Sequence, residues 1–237
     1  MIPIGDDPRR HTFPLVTLLL LGANLAVFAY ELSLGSRQLE RFFAAAGTTP
    51  LEILSGRDLP PAAPVSVYAT LITAMFIHGG LLHIGSNMLF LWVFGDNVED
   101  RFGHVAYLGF YLASGIVASL AQASIDPSSV VPVVGASGAV AGVLGAYLVW
   151  FPKATISVVI PFFVLIFIPL PVPAIVMIGL WFLQNLLAGY ATIGSAGTPD
   201  AGVAFFAHIG GFIFGFALVL LLFRNLRAAR RAPPPAW

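Results

Sequence analysis

Apolar residues run along this chain in blocks close to the ~20 residues a helix needs to cross a bilayer. Candidate spans lie at 13–33, 81–96, 105–124, 134–151, 172–189 and 204–223. The second is short because Gly79-Gly80 interrupts it, although "YATLITAMFIH" just before is also apolar. The stretch 154–189 is too long for one span and carries Pro161, Pro169, Pro171 and Pro173, so a seven-helix reading competes with six. Charge decides between them. With six spans and the N-terminus inside, the inner side holds Arg9, Arg10, Arg101, Lys153, Arg224, Arg227, Arg230 and Arg231, and the outer side holds Arg37, Arg41 and Arg57. Seven spans would put the C-terminal arginines outside, against the positive-inside bias. The pattern therefore predicts six spans, with 154–170 as a re-entrant or interfacial connection.

The organisation expected is a short cytoplasmic N-terminus (1–12), an all-α polytopic membrane domain (13–224) and a basic, proline-rich cytoplasmic tail (225–237). The outer loop 35–70 is the longest, with room for short interfacial helices. In it, "TPLE" from Thr49 to Glu52 has the form of a cap, a first-turn proline and a capping-box acid.

Composition strengthens the membrane reading. Of 237 residues, 58% are hydrophobic and 9% charged, with mean hydropathy +0.92, whereas soluble domains carry about 25% charged residues. With no cysteine there is neither a disulfide nor a thiolate metal site. A formal net charge of zero gives no support to a nucleic-acid partner. The N-terminal "MIPIGDDPRRHTFP" contains acids, unlike a mitochondrial presequence, and the first apolar run reads as a retained helix.

Polar side chains inside a bilayer are functional candidates by default. His11 and His104 sit at inner edges and read as surface residues, whereas His78, His83 and His208 fall near the outer ends of helices. Ser137 lies about three residues into the span 134–151 and His208 about four into 204–223, at matching depth by the ~1.5 Å rise per residue. His83 opens the second span, with Asn87 one turn along the same face. Gly138, Gly142 and Gly145 make one small-residue stripe, and Ala207, Gly211 and Gly215 a second beside His208, faces that let backbones approach closely. Packed together, they would bring a serine hydroxyl to an imidazole, the geometry of nucleophile and base.

Rival chemistries lack their signatures. HExxH is absent, since Gly79 follows His78 and Ile84 follows His83. Neither GxGD nor paired intramembrane aspartates occur, and Ala139 breaks the soluble-hydrolase GxSxG. A three-histidine zinc site has no nearby acid to orient its ligands. No metal and no cofactor are expected.

"GASG" at 135–138, "HIGSN" at 83–87 and "AHIGGFIFG" at 207–215 resemble the rhomboid family of intramembrane serine proteases, as does "NVEDRFG" at 97–103, with Glu99, Arg101 and Gly103 at matching positions. The resemblance runs from about Ala69 to Arg224. It implies a six-helix rhomboid-like bundle in which Ser137 is the nucleophile, His208 the general base, and His83 and Asn87 the oxyanion-stabilising groups. Gly135, Gly138, Gly142, Gly211 and Gly215 would pack helices at the site. His78 would order water or the first loop, and Trp181 and Phe182 would belong to a substrate gate. Where many members carry Trp-Arg in the first outer loop, this chain has Ala69-Thr70.

The expected function is hydrolysis of peptide bonds in or beside transmembrane segments of other membrane proteins by a Ser-His dyad. No third, carboxylate member is expected, since Asp200 is eight residues from His208 and in the loop. The alternative is a catalytically silent rhomboid-like factor that binds membrane proteins; a transporter is disfavoured by the lack of an intramembrane acid or cation. The partners implied are transmembrane protein substrates and the lipid bilayer of a plasma or inner membrane. The active site would lie near the outer leaflet, in a polar cavity capped by the loop 190–203.

Overall fold

A computed structural model describes residues 1–60, 62, 65–159, 169–193 and 203–231, with side chains described up to Leu222. In chain order the elements are β1 (Ile2–Asp6), α1 (Leu15–Ser33), α2 (Ser36–Ala46), α3 (Pro50–Ser55) and α4 (Thr70–Thr73), the last flanked by 3-10 turns at Val67–Ala69 and Ala74–Phe76. There follow α5 (Leu81–Phe102), α6 (His104–Ile125), α7 (Ser137–Trp150), β2 (Thr155–Val159), β3 (Leu170–Pro173), α8 (Ala174–Thr192) and α9 (Phe205–Arg231).

The bundle is helical, and α1, α6, α8 and α9 are each long and apolar enough to cross a membrane. Val67–Phe76 meets α5 at 83° across the break at Gly79-Gly80, a bent pair that makes either a fifth, broken crossing or a re-entrant turn. The sixth apolar helix, α7, has only 14 residues. At ~1.5 Å per residue it spans about 21 Å, short of the ~30 Å hydrocarbon thickness. Every residue from Gly138 to Tyr147 is buried, so α7 is the axis of the bundle.

Glycine decides how closely the neighbours approach α7. A Cβ on Gly211 would strike the Gly138 carbonyl, one on Gly215 the Gly142 carbonyl, and one on Gly145 the Phe212 carbonyl. Helices α7 and α9 are therefore in backbone contact along three turns, as small-residue stripes permit. Helix α6 closes the third side, where a Cβ on Gly138 would lie 2.5 Å from Ala118 Cβ.

Several expectations change. Beside the helices stands a small antiparallel sheet, β1-β2-β3, in which Ile2 pairs with Val159 and Ile156 with Val172. The expected re-entrant connection thus begins and ends as strands; residues 160–168 between them lie outside the described residues. The β-branched run "TISVV" suits the central strand, whose Ile156 and Val158 are buried. Pro171 and Pro173 fit in β3 because it is an edge strand.

The span 81–96 runs on to Phe102 because its polar end is itself buried. Glu99 accepts the N–H groups of Val16 (2.8 Å) and Thr17 (2.8 Å) and the Thr17 hydroxyl (2.7 Å), capping the start of α1. His104 is exposed as expected, and its Nδ1 lies 2.6 Å from the same carboxylate. In "TPLE", Pro50 does open α3, but Thr49 makes no side-chain cap, and Glu52 instead accepts the Leu59 N–H at 2.8 Å. Thr70, at the Ala69-Thr70 departure, is buried and tied through its carbonyl to the Thr48 hydroxyl at 2.9 Å. The C-terminal tail beyond Arg231 lies outside the described residues.

Candidate active site

A cavity of about 770 Å³ opens at the end of the bundle away from the sheet, lined among others by His83, Asn87, Gln122, Ser137, Trp181 and His208. Five of these were singled out from sequence, and they come from α5, α7, α8 and α9.

Ser137 does not sit three residues inside its helix; it is the first residue of α7. Gly135, at φ +122°, turns the chain just before it. That glycine lies in the turn before α7 rather than on a helix face, and it packs against α5. A Cβ there would lie 2.6 Å from His83 Nε2, and the backbone angle is one that favours glycine. Ser137 thus opens a helix too short to span the hydrocarbon. The α7 N-cap, Ala136, offers no side-chain cap, so the first N–H groups of the helix stay available at its positive end, beside the serine.

His83 is held in a defined protonation geometry. The Gly79 N–H points to its Nδ1 at 3.3 Å. Nδ1 is then the acceptor, and the neutral ring carries its proton on Nε2, the atom packed beside Gly135 and the serine turn. Asn87, one turn on, is buried, and its Nδ2 has no partner among the described residues. Buried donors are nearly always paired, so an unpaired amide lining a cavity is an available donor. His78 is 1% exposed, with both ring nitrogens unpaired among the described residues, and its ring stands 5.0 Å from that of His83. The His78 backbone N–H donates to the buried Glu31 carboxylate of α1 at 3.1 Å.

His208 is the fourth residue of α9. Its ring lies 5.8 Å from Trp181 and 6.5 Å from Phe205. No hydrogen bond joins it to Ser137 among the described residues. Its Nδ1 does have a partner, Asn185 Oδ1 of α8, at 2.6 Å. Sequence reasoning missed Asn185. It also missed Gln122 of α6, whose Oε1 accepts the N–H groups of Phe206 (3.1 Å) and Ala207 (3.2 Å) and so caps the helix that carries His208. Both are polar residues inside apolar runs, the same signal that marked Ser137.

Of the two gate residues, Trp181 lines the cavity, whereas Phe182 turns to stack on Phe212 at 4.3 Å. Gly138, Gly142, Gly211 and Gly215 lie in the α7–α9 contact below the cavity. Residues 194–202, most of the expected capping loop and with it Asp200, lie outside the described residues.

Fold and cavity define a multi-pass helical membrane protein with a polar site enclosed by its helices. Comparison with known proteins makes this specific: the rhomboid domain model matches residues 66–225, and the chain belongs to the rhomboid family. Among curated relatives, rhomboid protein 1, mitochondrial, of Saccharomyces cerevisiae is 31% identical over 83% of this chain and 50% of that protein. RHOMBOID-like protein 6, mitochondrial, of Arabidopsis thaliana is 30% identical over 77% of this chain and 53% of that protein. A shorter match, 42% identical over 33% of this chain and 15% of that protein, is to rhomboid protease GluP of Bacillus subtilis. The chain spans about half the length of the first two.

Proposed function

We propose that this chain is an intramembrane serine endopeptidase that cuts other membrane proteins in or next to their transmembrane segments. The observation that carries the reading is the convergence of Ser137, His208, His83 and Asn87, from three helices, on one cavity. A relative named as a rhomboid protease supports it.

In this mechanism the Ser137 hydroxyl attacks the scissile carbonyl carbon while His208 takes its proton. Negative charge develops on the carbonyl oxygen and is met by His83 Nε2–H, the Asn87 amide and the free N–H groups at the start of α7. Such preorganised donors act strongly where water is scarce. His208 then protonates the leaving amine, and water, activated in turn by His208, releases the acyl group from Ser137. The 770 Å³ cavity offers that water a place beside the acyl carbon.

The bilayer we assign is a plasma or inner membrane, with both termini cytoplasmic and the cavity near the outer leaflet. That orientation follows from the arginine and lysine distribution. A chain without cysteine allows it to be checked with single engineered cysteines and an impermeant thiol reagent.

The function itself is tested in proteoliposomes with a single-span substrate whose helix is Gly- and Ala-rich. Cleavage by the wild type, abolished in Ser137→Ala and in His208→Ala, is expected, and replacing the substrate's Gly and Ala by Leu should slow it. Capture of the substrate without cleavage would instead favour the client-binding alternative.

A further inference from the structure

We propose that Asn185 is a third member of the site, a positioning residue that fixes the tautomer and orientation of His208; the proposal rests on the serine-protease reading above. The inference comes from hydrogen-bond logic. Asn185 Nδ2 donates to the Trp181 carbonyl at 2.8 Å, one turn earlier in α8. A carbonyl can only accept, so the amide's NH₂ must face it, and the amide flip is settled by its partner. Oδ1 therefore faces His208 Nδ1, at 2.6 Å. An amide oxygen can only accept, so Nδ1 must carry the proton. Nε2 is left as the bare lone pair, the form a general base needs toward a serine hydroxyl.

The surroundings leave the imidazole little choice. Asn185 is 6% exposed, so water does not compete well for its oxygen. Trp181 and Phe205 flank the ring. The Gln122 side chain holds the N–H groups of Phe206 and Ala207, the two residues before His208. Backbone position comes from α6, and ring rotation and tautomer from α8. The site has no carboxylate among these partners, and a neutral amide does the orienting without placing a second charge in an apolar bundle, where charge is costly.

The expected cost of losing this partner lies on the order of 10²-fold in rate, below the ~10⁴-fold seen when a carboxylate orienter is neutralised and the wrong tautomer results. Two measurements test it. First, ¹⁵N-histidine spectra of the detergent-solubilised wild type, with the His208 signals assigned by their loss in His208→Ala, should show a protonated Nδ1 and a bare Nε2. A bare Nδ1 would overturn the proposal, whatever the activity. Second, the rate of labelling by a fluorophosphonate should drop on the order of 10²-fold in Asn185→Leu and recover largely in Asn185→Asp, which keeps an acceptor oxygen at the same place. A merely structural role would not be rescued in this way. An unchanged rate in a folded Asn185→Leu would overturn it; if that variant does not fold, failure of rescue in a folded Asn185→Asp does so. A wild type that is not labelled at all counts against Ser137 as nucleophile, and the tautomer then decides Asn185 alone.

Discussion

Two walls of the bundle around the cavity are built differently. On one side α7 and α9 touch backbone to backbone, and no side chain lies between Gly211 and the Gly138 carbonyl or between Gly215 and the Gly142 carbonyl. On the other side α8 meets the bundle through side chains, Phe182 on Phe212 and Asn185 on His208, while Leu183, Leu187 and Tyr190 on its outer face are exposed. The backbone wall fixes where Ser137 and His208 start, because nothing in it can rotate. The side-chain wall fixes only how the histidine ring sits. One sequence device, the small-residue stripe, sets distance; another, a polar residue in an apolar helix, sets orientation.

The largest effect is expected at the backbone wall. Gly211→Ala would push a methyl into the Gly138 carbonyl, and overpacking of a tight contact costs about 1–3 kcal/mol. We expect a lower thermal midpoint and loss of proteolysis together. By contrast, Leu187→Ala on α8, at a side chain 63% exposed, exchanges one apolar surface facing lipid for another. It should leave both stability and activity nearly unchanged, within about 0.5 kcal/mol. Equal sensitivity at the two positions would erase the distinction between the walls.

Next in size come the donors. Asn87→Ala removes an unpaired buried amide, and the loss of one oxyanion donor costs on the order of 10²-fold in rate. The thermal midpoint should fall little, since the Asn87 Nδ2 has no partner to lose among the described residues. A large stability loss with intact turnover would mean that the amide serves packing rather than the reaction.

The smallest effect is at the far end of α7. Asp6 of β1 accepts the Tyr147 hydroxyl at 2.6 Å and the Asn97 amide at 3.0 Å. Burial pushes its carboxyl up from 3.8 to about 6, partly opposed by the Tyr147 hydrogen bond. Because the folded value is the higher, the folded chain holds this proton more tightly than the unfolded one. The contribution is therefore complete below about pH 4 and is lost as pH rises to about 6. The difference in thermal midpoint between wild type and Asp6→Asn should shift across that window and level off above it. A difference that is flat with pH would contradict this.

How much of this was legible in sequence follows from the range of the forces involved. The helices α1, α6 and α9 begin within two residues of the expected spans, because a lipid-facing helix declares itself in every residue it contains. The sheet was not legible: Ile2 pairs with Val159, and nothing local to "IPIGD" points to a partner so far away. The start of α7 was misjudged because apolarity runs through "VVPVVGASG", whereas a single positive φ at Gly135 breaks the backbone. The rule that polar residues inside a membrane are candidates picked out Ser137, His208, His83 and Asn87, which line one cavity. Applied evenly, it would also have raised Asn185 and Gln122. Both were passed over because their partners, His208 and the N–H groups of Phe206 and Ala207, lie on another helix.

We propose Ser137 as the nucleophile that this arrangement activates. This is tested most directly by treating the detergent-solubilised protein with a fluorophosphonate and locating the adduct by peptide mass spectrometry. A single adduct on Ser137 is expected, absent in Ser137→Ala and strongly reduced in His208→Ala. An adduct on any other serine, or labelling that persists in Ser137→Ala, would contradict it.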